Sequence, residues 1–147
     1  MESVFDIAGM GMSAQSVRLN TVASNLANAQ SAASSVNQVY RARHPVFAAV
    51  QAQAQRAQSG DWPQAAGEGE DSAGVQVLGI VESQAPLERR YEPGHPLADG
   101  EGYVYYPNVN VVEEMADMIS ASRSFQINVE LLQSAKTMAQ RLLQLGQ

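Results

Sequence analysis

The chain has 147 residues, of which only 16% are charged, and fifteen acidic against nine basic residues give a formal net charge of −6. The length fits one domain, or one domain plus a tail, and excludes two large domains. The absence of cysteine excludes a disulfide scaffold, a thiolate zinc site and a cysteine nucleophile. The negative charge excludes broad nucleic-acid binding, because phosphates are neutralised by a basic surface.

The missing charge is concentrated near the N-terminus. Residues 1–50 carry a net charge of +1, residues 51–107 carry −6 and residues 108–147 carry −1. Between Ile7 and Tyr40 the only charged residue is Arg18. No segment is apolar enough to cross a bilayer, and no basic region precedes an apolar one at the start. We therefore expect no membrane span and no cleaved signal peptide.

Apolar residues near the N-terminus recur at the spacing of one helical face. This stripe predicts a helix that is secure from about Met12 to Asn28 and frayed before that, because Gly9 and Gly11 weaken the first turns. Its polar positions are small or amide side chains, which permit close approach by further helices. The stripe consists of Phe5, Ala8, Met12, Leu19, Val22, Leu26 and Ala29.

The middle of the chain is predicted to be β-rich. Residues 74–82 are rich in Val and Ile and form the clearest strand, and Tyr103 begins a short second strand that Pro107 ends. An extended arm is expected near Arg41–Phe47. The remaining segments read as a loop at 30–38, a flexible loop at about 51–73, and turns with extended pieces at 84–102.

From Asn110, a predicted N-cap, the pattern becomes helical for about 36 residues, or about 54 Å. A terminal helix of that length favours a coiled coil or a filament. We expect it to pair with the N-terminal helix, with Leu19, Val22 and Leu26 packing on Phe125, Val129 and Leu132. Its stripe, with one stammer after Leu132, is Met115, Met118, Ser122, Phe125, Val129, Leu132, Ala135, Met138, Leu142 and Leu145.

The predicted fold class is therefore mainly α with a small β-rich insert. The N- and C-terminal helices form a coiled-coil-like pair around a central extended or β region. We expect residues 1–38 and 108–147 to form a discontinuous axial core domain. Residues 39–107 are then the central insert, which carries the flexible loop.

Several segments resemble the flagellar rod/hook family of axial proteins, most closely its proximal-rod members. One signature is Ala-Ser-Asn-Leu-Ala-Asn-Ala at 23–29, followed by Tyr-Arg-Ala-Arg-His-Pro-Val-Phe at 40–47. A second is Tyr-Pro-Asn-Val-Asn-Val-Val-Glu-Glu-Met at 106–115, which continues to Phe125. The spacer between Ala29 and Tyr40 is serine-rich and longer than in many relatives, which favours the proximal rod over the distal rod or hook.

The resemblance implies a structural subunit of the bacterial flagellar basal-body proximal rod, which self-assembles through its terminal helices and transmits torque across the periplasm. Its implied partners are other rod subunits, copies of itself, and the flagellar export apparatus during secretion without a cleaved signal. The residues expected at the assembly interface are Met12, Leu19, Val22, Asn25, Leu26, Asn28, Met115, Met118, Phe125, Val129, Leu132, Met138 and Leu142.

Other interpretations were weighed against this one. A different axial protein, or a soluble coiled-coil adaptor or export chaperone, would share the long helices. His95 with Asp99 and Glu101 could be drawn as a metal or acid–base cluster, but they lie in a turn rich in Pro and Gly, and too few ligands converge. We therefore expect no enzyme activity, cofactor, metal, nucleic acid or small-molecule substrate.

Overall fold

The computed structural model describes residues 2–51 and 72–145, so most of the predicted flexible loop at about 51–73 lies outside the described residues. Two long helices enclose four strands in chain order. The elements are α1 (Glu2–Asn28), β1 (Arg43–Gln51), β2 (Ser72–Glu82), β3 (Glu88–Tyr91), β4 (Tyr103–Tyr106) and α2 (Val111–Leu145).

Helix α1 begins at Glu2 and passes through Gly9 and Gly11 without a break. The predicted frayed start is therefore wrong. The glycines lower the intrinsic preference for helix, but α2 and the β1–β2 hairpin pack along the same turns and hold them. Gly11 has a positive reason to lack a side chain, because a Cβ there would lie 2.8 Å from Nδ2 of Asn128.

Helix α2 has 35 residues, which makes it about 52 Å long. Asn110 caps it as predicted: its Oδ1 accepts hydrogen bonds from the backbone N–H groups of Val112 at 3.2 Å and Glu113 at 3.4 Å. Glu113 and Glu114 occupy the first turn, where the helix dipole favours negative charge.

The two helices pack antiparallel, which confirms the predicted pair of terminal helices. Gly11 lies against Asn128, and Asn25 lies against Glu114, so numbers rise along α1 as they fall along α2. Between them, Arg18 forms an ion pair with Asp117 at 2.7 Å.

The predicted partners within that pair are wrong. Arg18 and Asn25 contact Asp117 and Glu114 in the first turns of α2. Their neighbours on α1 therefore lie beside the same turns, and these neighbours are Leu19, Val22 and Leu26. Measured along α2, Phe125, Val129 and Leu132 lie about 12 Å or more beyond the levels of Val22 and Leu26, and about 8 Å or more beyond the level of Leu19. Periodicity identifies which helical faces are apolar, but it does not give the direction or register of a pairing.

The face of α2 that packs on α1 follows a regular spacing of four and three residues. The predicted stammer is wrong, because the repeat continues through Ala139 while Met138 is 57% exposed. This spacing is that of a coiled-coil seam. The seam residues of α2 are Glu114, Met118, Ala121, Phe125, Asn128, Leu132, Ala135 and Ala139, all buried or half-buried.

Strands β1 and β2 form a two-stranded antiparallel hairpin, here called the hairpin. Its register runs from Arg43 opposite Glu82 to Gln51 opposite Ser72, with an irregularity between Val46 and Phe47. The predicted extended arm and the predicted strand at 74–82 are both confirmed. The hairpin packs along α1.

Strands β3 and β4 form a second antiparallel pair, and the bridge between Ala33 and Tyr105 adds the serine-rich loop to its edge. β4 matches the predicted short strand, and β3 lies within the segment at 84–102 that was expected to hold turns with extended pieces. The guanidinium group of Arg89 lies 4.1 Å from the ring centroid of Tyr103. Such cation–π contacts hold a strand of four exposed residues that has no apolar pattern of its own.

Two ionisable side chains on this second sheet have shifted pKa values. A hydrogen bond to Glu88 raises the pKa of Arg90 above its ordinary value. The pKa of Tyr106 is raised first by burial and then by the hydrogen bond that its hydroxyl donates to Glu92 at 3.2 Å. The Tyr106–Glu92 bond links β4 to the residue that follows β3, whereas Glu88 and Arg90 both lie on β3.

The mainly α fold class with a small β-rich insert is thus confirmed. Across residues 2–51 and 72–145, no helix combines the length and apolar character that a membrane span requires.

Candidate assembly surface and the polar hub behind it

Asn25 is the centre of a buried polar hub that joins α1, β1 and α2. The residue is 0% exposed. Its Oδ1 accepts hydrogen bonds from the Tyr40 hydroxyl at 2.8 Å and from the Arg43 N–H at 2.9 Å. Its Nδ2 donates to the Arg43 carbonyl at 2.8 Å and to Oε1 of Glu114 at 3.0 Å. The amide therefore pairs with both backbone groups of Arg43, as a neighbouring strand would.

Glu114 brings α2 into this hub at an energetic cost. Its side chain is 4% exposed, and its Oε2 has no hydrogen-bond partner among the described residues. A buried carboxylate oxygen without a partner opposes folding. The Asn25–Glu114 contact is consequently weak evidence for stability and better evidence for structural specificity.

Asn108 extends the same network toward the central strands. Its Oδ1 accepts a hydrogen bond from the Ala42 N–H at 2.8 Å, and its Nδ2 donates to the Ala85 carbonyl at 2.9 Å. Asn25, Tyr40, Asn108 and Glu114 all belong to the two signatures that carried the family resemblance. The structure brings those separate segments together at one place.

One flank of the α1 seam is covered by the hairpin. The seam residues Gly11, Arg18 and Asn25 are seven residues apart, and the positions just before them are Met10, Val17 and Ser24. Met10 lies against Gly74 of β2, and Val17 lines a cleft with Arg43 and Ile80. These contacts define the covered side of the helix pair.

The positions just after the seam lie on the opposite side, because each residue turns the helix by about 100°. Because the two helices are antiparallel, the residues that directly follow the seam residues of α2 lie on the same side of the pair as those that directly follow the seam residues of α1. These residues, half-buried or exposed and away from the hairpin, are here called the open flank. They are Met12, Leu19 and Leu26 of α1 with Met115, Ser122 and Val129 of α2.

The open flank contains six of the seventeen stripe residues named from the sequence. Periodicity identified apolar faces correctly, but the α2 stripe divides between two places: Met118, Phe125, Leu132 and Ala135 lie in the seam, and Met115, Ser122 and Val129 lie on the open flank. Met115 is 55% exposed. Apolar side chains aligned along a helix pair and partly exposed are typical of a surface that another molecule covers.

Helix α2 also carries exposed apolar residues outside this flank. Ile119 is 71% exposed, and the register carries the last turns of α2 past the level of Glu2. That position explains why Met138 and Leu142 are each 57% exposed.

The residues expected at the assembly interface take three kinds of position. Val22 and Asn25 are buried within the subunit, while Met115, Met138 and Leu142 are exposed. The remaining eight are half-buried: Met12, Leu19, Leu26, Asn28, Met118, Phe125, Val129 and Leu132.

Sequence reasoning missed Glu114 and Tyr40 as hub residues. A glutamate in the first turn of a helix interacts favourably with the helix dipole without being buried, so its sequence position does not indicate burial. The available signal was Asn25, an amide on a helix with few charged residues, which requires partners when buried.

The histidine cluster weighed from the sequence serves turn geometry. Nδ1 of His95 accepts a hydrogen bond from the Leu97 N–H at 3.1 Å, and Oδ1 of Asp99 accepts from the N–H groups of Glu101 and Tyr103, each at 2.9 Å. Within the part of the chain that the structure describes, no three His, Asp or Glu residues are grouped so that they could hold a metal.

Comparison with known proteins gives two family matches at the chain's ends. Residues 5–30 match the family described as "Flagella basal body rod protein", and residues 101–145 match "Flagellar basal body rod FlgEFG protein C-terminal". The flagellar basal-body rod protein FlgC of Escherichia coli O157:H7 is 49% identical over 99% of this chain and 97% of its own length. The Salmonella typhimurium protein of the same name is 47% identical with the same coverage. This chain belongs to the FlgC family of flagellar basal-body rod proteins.

A more distant relative, the FlgC protein of Borreliella burgdorferi, is 34% identical over 92% of this chain and 91% of its own length. Membership makes the chain a structural subunit of the flagellar basal-body rod and not an enzyme. It also makes other rod subunits its partners. The open flank and the exposed turns of α2 are therefore candidate contacts between subunits.

Proposed function

We propose that this rod subunit assembles by burying the open flank against helices of neighbouring subunits, and that the terminal helices thereby form the inner tube of the proximal rod. The observation that carries the proposal is the alignment of partly exposed Met12, Leu19 and Leu26 beside Met115 and Val129. The covered flank is already occupied by the hairpin, so neighbouring helices pack on the other side. The division into a terminal-helix core domain and a central insert belongs to this proposal.

Within it, the interface residues act in three ways. Exposed and half-buried side chains of the open flank meet neighbouring subunits directly. Val22 and Asn25, together with the seam residues Met118, Phe125 and Leu132, act through the helix pair inside one subunit. Met138 and Leu142 meet another subunit at the far end of α2.

Torque passes through such a rod as a load on the contacts between subunits. Burial of apolar surface at about 25 cal/mol per Å² holds those contacts, and the internal helix pair resists shear. The described part of the central insert, in which residues 72–107 carry a net charge of −3, faces outward in this arrangement.

The route to the periplasm is part of the same proposal. We infer that the subunit engages the flagellar export apparatus and leaves without a cleaved signal peptide, and that it takes neither nucleic acid nor a small-molecule substrate.

The test is a charge placed on the open flank. Leu26→Asp and Leu19→Asp should abolish motility and remove the protein from detergent-washed basal bodies, while circular dichroism of the purified variants keeps the helical signal. Ala27→Asp is the matched control, because Ala27 is exposed and lies off the flank. Normal swimming of the Leu19→Asp and Leu26→Asp strains would refute the proposal.

A further inference from the structure

The seam between α1 and α2 carries three polar or size-matched layers at intervals of seven residues along α1. Gly11 faces Asn128, Arg18 lies at the level of Ala121 and reaches Asp117, and Asn25 bonds to Glu114. A layer here is the residue of α1 and the residue or residues of α2 at the same level of the seam. In each layer either one residue is small or the two side chains bond to each other. The layers are independent of how subunits meet one another.

We propose that these layers specify the antiparallel register of the two terminal helices, and that they do so at a cost in stability. The cost is visible in Oε2 of Glu114, which is buried without a partner among the described residues. Buried polar contacts that fix register at the expense of stability are known from coiled coils. The remaining seam positions are largely small or apolar and would tolerate a slide.

A slide by one heptad moves the helices about 10 Å along each other and breaks the layers in both directions. In one direction Gly11 would face Ala135, Asn25 would face Ala121, and Glu114 would lie beyond the end of α1 at Asn28. In the other direction Gly11 would face Ala121, and Asn25 would lie before the start of α2 at Val111. Only the observed register pairs Asn25 with Glu114 and leaves room for Asn128.

The function of such a device is alignment. Tyr40 and Arg43 bond to Asn25, and Asn108 bonds to Ala42, the residue directly before β1. The two ends of the chain must therefore meet at one level for these bonds to form together. A slipped pair would keep its helices but would displace the hairpin relative to the open flank. Arg18, Glu114 and Asp117 are therefore positioning residues.

The chain has no cysteine, so pairs of introduced cysteines report the register directly. A Cβ on residue 11 would lie 3.3 Å from Cγ of Asn128, which marks the place of a cysteine sulfur, so Gly11→Cys with Asn128→Cys can form a disulfide in the observed register. Gly11→Cys with Ala121→Cys, or with Ala135→Cys, reports a slide of one heptad in either direction.

The experiment oxidises the purified full-length chain and measures the crosslinked fraction for each pair. Every pair replaces Gly11, so the crosslinks report the register that the Arg18–Asp117 and Asn25–Glu114 layers hold. With both of those layers intact, the first pair should close and the two offset pairs should stay reduced. In the triple variant Arg18→Leu, Glu114→Leu, Asp117→Leu, the offset crosslinks should rise about tenfold or more. Its helical signal and unfolding midpoint should not fall. This variant leaves the bonds of Asn25 to Arg43 and Tyr40 intact.

Glu114→Gln is the matched conservative variant, because it keeps an acceptor for Asn25, and its offset crosslinks should remain as low as in the native seam. Two results would overturn the proposal. One is a triple variant whose offset pairs stay reduced while the native pair closes. The other is a triple variant that loses its helical signal, since the layers would then supply stability and not register.

Discussion

The close approach of the helices at Gly11 can be tested by adding one methyl group. Gly9 and Gly11 both lie inside α1, and a Gly→Ala change at either position should stabilise the isolated helix by about 1 kcal/mol. Either change should also lower the conformational entropy of the unfolded chain by the same amount. Their surroundings differ: a Cβ at Gly9 meets nothing within 4 Å, whereas a Cβ at Gly11 meets Nδ2 and Cγ of Asn128 at 2.8 and 3.3 Å.

The balance of these terms gives opposite outcomes. Gly9→Ala should raise the free energy of unfolding by about 1 kcal/mol. In Gly11→Ala the helical gain is opposed by overpacking, which costs about 1–3 kcal/mol, so the net change should lie between no change and a loss of about 2 kcal/mol. For a chain of this size, 1 kcal/mol corresponds to about 2–4 °C in the melting temperature.

Denaturant unfolding followed by far-ultraviolet circular dichroism measures both variants. The double variant Gly11→Ala, Asn128→Ala supplies the control, because it removes the clashing amide and should recover most of the helical gain. If Gly11→Ala stabilises the protein as much as Gly9→Ala does, the helices do not approach each other at this layer, and the reasoning is refuted.

Two further predictions concern the hub and the second sheet. Asn25→Ala removes the Asn25 bonds to both backbone groups of Arg43 and to the Tyr40 hydroxyl, which keeps only its contact with the Ser24 hydroxyl at 3.2 Å. It should destabilise the subunit by about 2–4 kcal/mol. Asn28→Ala removes one bond to the Ser24 carbonyl and should cost less than about 1 kcal/mol, and equal losses in denaturant unfolding would contradict the hub. The raised pKa of Tyr106 means that the fold favours the protonated phenol. The contribution of the Tyr106 hydroxyl to the free energy of unfolding should be complete below about pH 10, the ordinary tyrosine pKa. It should fall as the pH rises through the pKa of Tyr106 in the folded protein. The unfolding midpoints of wild type and Tyr106→Phe, measured against pH, should therefore converge above about pH 10, and a gap that widens there would contradict the assignment.

Most of the elements followed from local signals in the sequence. The cap at Asn110, the strand at 74–82 and the short strand from Tyr103 each rest on residue types whose preference needs no distant partner. β3 was predicted only as part of a segment of turns with extended pieces. Its arginines contact the rings of Tyr103 and Tyr106 on β4, and nothing in Glu-Arg-Arg-Tyr identifies those partners.

The assembly surface was only partly predictable. Leu19 and Leu26 mark an apolar face at any register, but whether that face is the seam or its flank depends on where Asn25 and Gly11 sit. From the sequence, Asn25 was expected at the assembly interface, and Gly11 was expected to weaken the first turns of the helix. Their meaning appears only when Glu114 and Asn128 are opposite them.

The most direct test of the central claim is the accessibility of Met115→Cys in the assembled rod. Met115 is 55% exposed in the subunit, and Leu78, on the hairpin, is 63% exposed, so either position as the chain's single cysteine should react readily with a thiol reagent in the isolated protein. In purified basal bodies Met115→Cys should be protected while Leu78→Cys continues to react. Equal labelling of Met115→Cys in the rod and in the isolated subunit would show that the open flank is not an assembly surface.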